Sequence, residues 1–198
     1  MGYANSDHGD TAPLAVKILV AGGFGVGKTT MVGAVSEVEP LRTEEYLTHA
    51  SVGVDDLEGL NGKTSTTVAL DFGRITINRE LVLYLFGTPG QERFWFMWND
   101  LVNGAMGAVV LVDTRRLDVS FASIDFFESR GIPFVVGVNC FHGVRDRAPE
   151  EIRKALDLDP QVPLVLCDAR DRRASRDVLL ALVDHLMAAH SRPATPGS

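Results

Sequence analysis

A chain of 198 residues, 45% of them hydrophobic, is long enough for one large core and too short for two comfortable domains. Its net charge of -7 argues against nucleic acid as the main partner, and no apolar run approaches the roughly 20 residues of a membrane span. The two cysteines, Cys140 and Cys167, are too few for a disulfide framework and indicate a reducing compartment. We therefore expect a cytoplasmic protein with one domain at 13–189 and disordered tails at 1–12 and 190–198.

A glycine-rich segment with the spacing G-x-x-x-x-G-K-T follows an apolar run at 14–20. Glycines at these places let backbone N–H groups converge on a phosphate, Lys28 reaches the β- and γ-phosphates, and the Thr29 hydroxyl ligates Mg²⁺. The segment predicts a phosphate-binding loop between a strand at 14–21 and a helix from 28 to about 38, although a turn that merely permits tight packing is the alternative. The nucleotide-binding residues predicted here are Gly23, Phe24, Gly25, Val26, Gly27, Lys28, Thr29 and Thr30.

Strands alternate with helices along the rest of the chain. The stretch 39–63 is polar and lacks an apolar period, which predicts a long functional loop. The alternation predicts an α/β fold with a mostly parallel six-stranded sheet and helices on both faces. Beyond the first strand and helix, we expect strands at 66–77, 81–86, 108–113, 133–139 and 162–166, a hairpin turn at 78–80, and helices at 92–102, 119–129, 149–156 and 175–189.

A second motif, F-G-T-P-G-Q-E-R-F at 86–94, ends one of the expected strands. Together with the phosphate loop it makes the chain resemble the Ras-like small GTPases, which are P-loop NTPases. The string T-T-V-A-L-D-F at 66–72 is similar to the bacterial branch that contains the gliding-motility polarity GTPases and the actinobacterial conservon GTPases. The resemblance covers about 14–187 and implies a molecular switch that binds GTP or GDP with Mg²⁺ and hydrolyses GTP.

The resemblance also implies roles for single residues. Lys28 and Gln91 would be catalytic, with Gln91 orienting the attacking water and the Gly90 amide sensing the γ-phosphate. Thr67 would meet Mg²⁺ and the γ-phosphate, although it is also suited simply to open a strand, and the register could differ by one.

The guanine base would be bound by two loops of the chain. Asn139 stands where the N-K-x-D motif of the family begins. The segment Asp168-Ala169-Arg170 stands where S-A-K is usual, so that the Ala169 amide would face the base and Arg170 would cover it. A polar loop after a strand is the alternative for this segment.

Several positions depart from the family pattern. Gly87 replaces the usual Mg²⁺-supporting Asp, and Asp71 on the neighbouring strand is the candidate substitute, or else a salt-bridged strand residue. Phe24 is bulky where a partner's arginine finger normally passes, which should hinder activation in trans. Cys140 and His142 replace Lys and Asp of N-K-x-D, so we expect weakened guanine selectivity, with His142 accepting one bond through a neutral ring nitrogen.

Five large apolar residues follow the second motif: Phe94, Trp95, Phe96, Met97 and Trp98. They cannot all face one core stripe of a helix, so some should be exposed and form a partner surface. In the bacterial branch the partner is typically a dimeric roadblock-fold protein, through which peripheral membrane association is possible. The alternative is that the rings pack onto the next helix and the sheet.

Two other functions fit parts of the pattern. A nucleotide-bound scaffold with little or no turnover is favoured by Gly87, Phe24 and His142 together. A small-molecule P-loop kinase would need an Arg-bearing lid, where this chain has a long loop and the T-P-G-Q-E-R string. Since no arginine is obviously placed as a finger in cis, we expect GTP hydrolysis to be slow.

Overall fold

The computed structural model describes residues 12–39, 41–47 and 66–191, which form seven strands and five α-helices. Short 3-10 helices at Glu92–Met97, Leu117–Ser120 and Phe141–Gly143 connect some of these elements. In chain order the strands and α-helices are β1 Leu14–Ala21, α1 Lys28–Val35, β2 Leu41–Leu47, β3 Thr66–Thr76, β4 Leu81–Gly87, α2 Trp98–Leu101, β5 Ala105–Val112, α3 Phe121–Glu128, β6 Phe134–Asn139, α4 Pro149–Ala155, β7 Leu164–Cys167 and α5 Arg172–Ser191.

All strands belong to one sheet in the order β2-β3-β4-β1-β5-β6-β7. The pairs β4–β1, β1–β5, β5–β6 and β6–β7 are parallel, whereas β2–β3 and β3–β4 are antiparallel. The predicted α/β fold with a mostly parallel sheet is confirmed, and all six predicted strands occur. The sheet is one strand wider than predicted because β2 lies in the stretch interpreted as a loop; residues 48–63 of that stretch lie outside the described residues.

Helices cover both faces of the sheet, as predicted. On one face, α1 and α5 pack against β1, β4 and β5 through buried apolar side chains such as Val32 and Leu179. On the other face, α2, α3 and α4 contribute Trp98, Phe127 and Ile152 to a second buried cluster. Each such large apolar side chain stabilises the fold by about 1.5–3 kcal/mol when fully buried, so the central strands are fixed from both sides.

Several helix boundaries differ from the expected ones; helix α1, for example, ends at Val35 and not at about residue 38. The helix expected at 92–102 is a 3-10 helix followed by the single turn of α2, and the helix expected at 119–129 also begins with 3-10 geometry. Helix α5 begins at Arg172 and ends at Ser191, so residues 190 and 191, predicted as tail, are helical. The rest of that tail, and all but residue 12 of the first tail, lie outside the described residues.

The two cysteines lie at the ends of neighbouring strands: Cys140 directly follows β6, and Cys167 is the last residue of β7. Both are free and buried, and the Cys140 N–H donates a hydrogen bond of 2.7 Å to the Cys167 carbonyl oxygen. Burial raises the pKa of the Cys140 thiol and raises that of Cys167 to about 12. Among the described residues, no helix has the length and apolar character that crossing a membrane requires.

Candidate functional site

The candidate site lies at the edge where β1, β4, β6 and β7 end. Because these strands are parallel to one another, the loops that follow them meet at one edge of the sheet. These loops contain the phosphate-loop residues, the T-P-G-Q segment, and the two segments that resemble base-binding motifs. The topology therefore brings together residues that are more than 100 positions apart in sequence, such as Val26 and Asn139.

The phosphate loop has the backbone geometry that its glycines permit. Gly22, Gly25 and Gly27 have φ angles of 133°, 76° and 107°, in the region that L side chains rarely adopt. Gly27 immediately precedes α1, and no side chain caps the first turn of that helix. The backbone N–H groups of this turn are consequently available to an anion.

Lys28 lies inside the loop, with only 9% of its surface exposed. Its Nζ donates hydrogen bonds of 3.0 and 2.8 Å to the carbonyl oxygens of Gly22 and Gly23. Burial lowers the Lys28 pKa to about 8, and the negative charge of Asp71 opposes this shift. The ammonium group is therefore held by neutral carbonyls at a place where a phosphate would be a stronger partner.

The T-P-G-Q segment packs directly against this lysine. A Cβ atom added at Gly90 would lie 2.5 Å from Lys28 Nζ and 2.9 Å from the Gly23 carbonyl oxygen, so only glycine fits there. Gln91, with Gly23 and Phe24, lines a cavity of about 280 Å³. The structure thus brings Gln91, Gly90 and the phosphate loop together, as their predicted roles require.

A hydroxyl and a carboxylate form a short pair at the start of α1. Thr29 Oγ1 donates a hydrogen bond of 2.5 Å to Asp71 Oδ2. A Cβ at Gly87 would lie 3.0 Å from the Asp71 Cβ, so the missing side chain on β4 gives room to the carboxylate of β3. Hard oxygen donors of this kind fit Mg²⁺, which is usually held by one or two protein groups plus phosphates and water.

The backbone of Thr67 lies some distance from this pair. It lies at the beginning of β3, where it pairs with Tyr46 of β2. It lies four positions before Asp71, a distance of about 13 Å along the strand. Both residues lie on the strand predicted at 66–77, and its extended backbone keeps Thr67 and Asp71 apart.

Asn139 connects the phosphate loop to the loop after β7. Its side chain is 3% exposed; Nδ2 donates to the Val26 carbonyl oxygen at 2.9 Å, and Oδ1 accepts the Ala169 N–H at 3.0 Å. The carboxamide is therefore satisfied on both sides without solvent. A Cβ at Gly27 would lie 2.6 Å from Nδ2, so the last glycine of the loop permits this close approach.

The remaining predicted base-binding residues lie together near the surface. Arg170 forms an ion pair with Asp168, with 2.6 Å between Nη2 and Oδ2, and this arginine lowers the pKa of Asp168 to about 2. Arg170 Nη1 also lies 3.4 Å from His142 Nδ1. His142 itself has a φ of 58°, an uncommon backbone conformation for a residue other than glycine.

The predicted aromatic surface is only partly exposed. Phe96 has 54% of its surface exposed, whereas Phe94 is 8% and Trp98 is 2% exposed. Trp98 and Phe94 are therefore core residues, and the prediction that their rings offer a partner surface is wrong; the side chain of Trp95 lies outside the described residues. Because the 3-10 helix and α2 have different periods, the consecutive large residues are divided between the core and the surface.

An arginine that sequence analysis missed contacts the phosphate loop. Arg116, in the segment after β5, donates a hydrogen bond of 2.9 Å from Nη2 to the Phe24 carbonyl oxygen. Its neighbour Arg115 instead pairs with Asp113 at 2.7 Å and lies over the Phe141 ring. Two adjacent arginines after a buried strand were the available signal, but the sequence does not indicate which one turns towards the loop.

Comparison with known proteins agrees with this geometry. The family described as "conserved hypothetical ATP binding protein" matches residues 20–189, most of the chain. The chain belongs to this family. This member of the ATP-binding family is also 25% identical to the Ras-related protein Rab-1C of Dictyostelium discoideum, over 87% of this chain and 81% of that protein. It is 29% identical to the uncharacterized protein MJ1339 of Methanocaldococcus jannaschii, over 63% of this chain and 69% of that protein.

Solved structures show the same fold. The G domain of the Thermotoga maritima FeoB iron transporter has a TM-score of 0.60 at 15% identity, covering 87% of this family member and 99% of that domain. The FeoB G domain from M. jannaschii has a TM-score of 0.59 at 14% identity, covering 87% and 98%. The chain covers 64% of the larger cytosolic domain of T. maritima FeoB. The Ras-like G-domain fold is therefore confirmed.

Trp98 should contribute to stability. Its indole N–H donates a hydrogen bond of 3.1 Å to the Pro89 carbonyl oxygen, and its ring lies 5.0 Å from that of Phe126. Replacing Trp98 with Ala should lower the free energy of unfolding by about 3–5 kcal/mol, because it leaves a cavity in the core. Urea unfolding followed by circular dichroism would measure the loss, with the exposed Phe96→Ala as the matched control. A loss under 1 kcal/mol for Trp98→Ala would contradict its placement in the core.

Asp71 should control the Mg²⁺ requirement of nucleotide binding. Asp71→Asn keeps the size of the side chain but removes the charge beside Thr29, so the Mg²⁺ concentration for half-maximal nucleotide retention should rise by about 10- to 100-fold. Titrating Mg²⁺ against nucleotide dissociation measures this. The exposed Asp177→Asn on α5 is the control; equal Mg²⁺ requirements of both variants would exclude Asp71 from the metal site.

Proposed function

We propose that the protein is a guanine-nucleotide-binding molecular switch with slow GTP hydrolysis that controls a signalling partner. The observation that carries the proposal is the buried Asn139 bridge. This side chain fixes a loop suited to phosphates at one end and a loop suited to a base at the other. A nucleotide needs both ends at once, and the described residues provide both at one edge of the sheet.

The phosphate end would act mainly by electrostatics. On binding, Lys28 would exchange its two carbonyl partners for phosphate oxygens, and the N–H groups at the start of α1 would face the same anion. Thr29 and Asp71 would hold Mg²⁺, which neutralises phosphate charge when bound. No cluster of three or more His, Cys, Asp or Glu ligands occurs among the described residues, so phosphate oxygens and water would complete the metal's coordination.

Switching would depend on the γ-phosphate. Gly90 touches Lys28 and Gln91 lines the adjoining cavity, so a group placed there would contact the T-P-G-Q segment directly. The role of Thr67 stays a prediction. For Thr67 to meet the metal, the start of β3 would have to separate from β2 when the γ-phosphate binds.

The base end supports weak discrimination between guanine and adenine. The Asp168 carboxylate is engaged in an ion pair with Arg170. His142 occupies the position where Ras-like relatives have an Asp. A charge-assisted hydrogen bond is worth about 1.5–3 kcal/mol, so the loss of that carboxylate reduces guanine affinity. The ATP-binding description of the family is consistent with relaxed base selection, which a nucleotide-bound scaffold with little turnover would also show.

The partner surface would centre on Phe96. This exposed ring lines a cavity of about 330 Å³ with Phe86, Leu70 and Lys17, next to the T-P-G-Q segment. A surface at that place would move when the segment responds to nucleotide. A dimeric roadblock-fold protein is the partner that the bacterial-branch resemblance implies, and any peripheral membrane association would occur through it.

Lys28→Ala should abolish binding of GDP with Mg²⁺. The ammonium group is the buried cation of the phosphate loop, and its removal takes away the charge that phosphate oxygens would meet. Titration calorimetry with GDP measures the affinity, and the exposed Lys154→Ala serves as the control for loss of a lysine charge. Unchanged GDP affinity in Lys28→Ala would show that nucleotide does not bind at this loop.

His142→Asp should increase guanine selectivity. A carboxylate at this place would accept two N–H donors of guanine and raise GDP affinity by about 1.5 kcal/mol, while ADP would gain nothing because its donor pattern differs. Competition between GDP and ADP on both forms measures the difference. If selectivity is the same before and after the substitution, His142 does not contact the base.

A further inference from the structure

The guanidinium of Arg116 lies over the outer side of the phosphate loop. Its Nη2 atom is 2.9 Å from the Phe24 carbonyl oxygen and 3.7 Å from the place where a Cβ on Gly25 would stand. Phe24 directly follows Gly23, whose carbonyl oxygen accepts a hydrogen bond from Lys28. Arg116 and Lys28 therefore donate to the carbonyl groups of two consecutive residues of the loop.

The same arginine shares a cavity with the predicted water-positioning residue. The cavity of about 280 Å³ is lined by Gly23, Gly90, Gln91, Phe24 and Arg116. A water molecule takes about 30 Å³ in the liquid, so this space has room for an attacking water beside Gln91. The cavity therefore brings Arg116 and Gln91 to one space beside the phosphate loop.

Arg116 forms no ion pair with a carboxylate among the described residues; the pKa of Asp113 is lowered mainly by its hydrogen bonds from Arg115, and the charge of Arg116 adds a smaller effect. The ion pairs found there involve Arg115 with Asp113 and Arg170 with Asp168, and Asp118 lines the cavity without pairing with Arg116. Arg115 is paired with Asp113, whereas Arg116 is exposed beside the phosphate loop. A guanidinium in this state is suited to bind phosphate oxygens with two parallel N–H donors.

The position of Phe24 favours a catalytic arginine from this chain over one from a partner. Its side chain is 67% exposed at the rim of the phosphate loop, where it would obstruct an arginine finger that enters from outside. Its backbone carbonyl, in contrast, holds Arg116. The Phe24 side chain would thus obstruct an arginine from a partner, while the Phe24 carbonyl oxygen holds Arg116 of the same chain.

We infer that Arg116 is an intrinsic catalytic arginine, which moves from the Phe24 carbonyl to the γ-phosphate of bound GTP and stabilises the transition state of hydrolysis. This inference rests on the proposed function. In the reaction, the oxygen of water bonds to the γ-phosphorus as the bond from that phosphorus to the β–γ bridging oxygen breaks. The bridging oxygen keeps the electron pair and leaves with GDP, and both protons of the water end on the released inorganic phosphate as dihydrogen phosphate, which can then give one to solvent.

Single-turnover hydrolysis of GTP preloaded with Mg²⁺ tests the inference. With the arginine in cis, the wild-type rate should be about 10⁻² per second, and Arg116→Ala should fall to the unassisted range of about 3–5 × 10⁻⁴ per second. Arg116→Lys should remain slow because a point charge lacks the planar fork. GDP affinity and the midpoint of thermal unfolding should stay unchanged, and aluminium fluoride should form a complex with GDP on wild type but not on Arg116→Ala.

The control is Arg173→Ala, which removes an exposed arginine of α5 and should hydrolyse GTP at the wild-type rate. Equal rates for Arg116→Ala and wild type would overturn the inference, as would a wild-type rate in the unassisted range. A parallel loss of GDP affinity in Arg116→Ala would overturn it too, because the arginine would then only support the loop. Failure of wild type to bind GDP would refute the proposed function at the earlier, binding step, and the inference with it.

Discussion

The Asn139 carboxamide is the interaction on which the arrangement of the site depends. It is buried, and both its donor and its acceptor are used, one by Val26 and the other by Ala169. Removing either partner would leave a buried polar group unsatisfied, at a cost of about 1–3 kcal/mol. The loop after β7 is thereby fixed relative to the phosphate loop without a ligand, so a ligand that contacts both loops would have less to order on binding.

At the candidate metal site, two departures from the Ras-like pattern complement each other. On β4, Gly87 stands where the family usually has an Asp. The carboxylate of Asp71, on the adjacent strand β3, lies in the space that this missing side chain leaves. The hydrogen bond to Thr29 shows that the transferred carboxylate lies beside the hydroxyl that would ligate Mg²⁺. Asp71 and Thr67 both lie on the part of β3 that pairs with β2, so the candidate metal site and this pairing share one strand.

The sequence predicted the features that depend on local chemistry or on strong periodicity. The glycine spacing located the phosphate loop, the apolar runs located the buried strands, and the departures at Gly87 and Asp71 identified a pair that is in contact. Strand β2 was not predictable because its sequence, L-R-T-E-E-Y-L, resembles a loop, and an edge strand tolerates charge. The contact of Arg116 with Phe24 joins positions 92 residues apart and depends on the path of a loop, which periodicity does not report.

The two buried cysteines at the ends of β6 and β7 can report local opening of the fold. Thiolate is the form that reacts with alkylating reagents, and burial holds both thiols in the neutral form, with the Cys167 pKa at about 12. Each thiol lies beside a loop of the site, since Cys140 follows Asn139 and Cys167 precedes Asp168. Their rate of alkylation therefore measures how often this edge of the sheet opens, and a ligand that holds the loops after β6 and β7 closed would slow that rate.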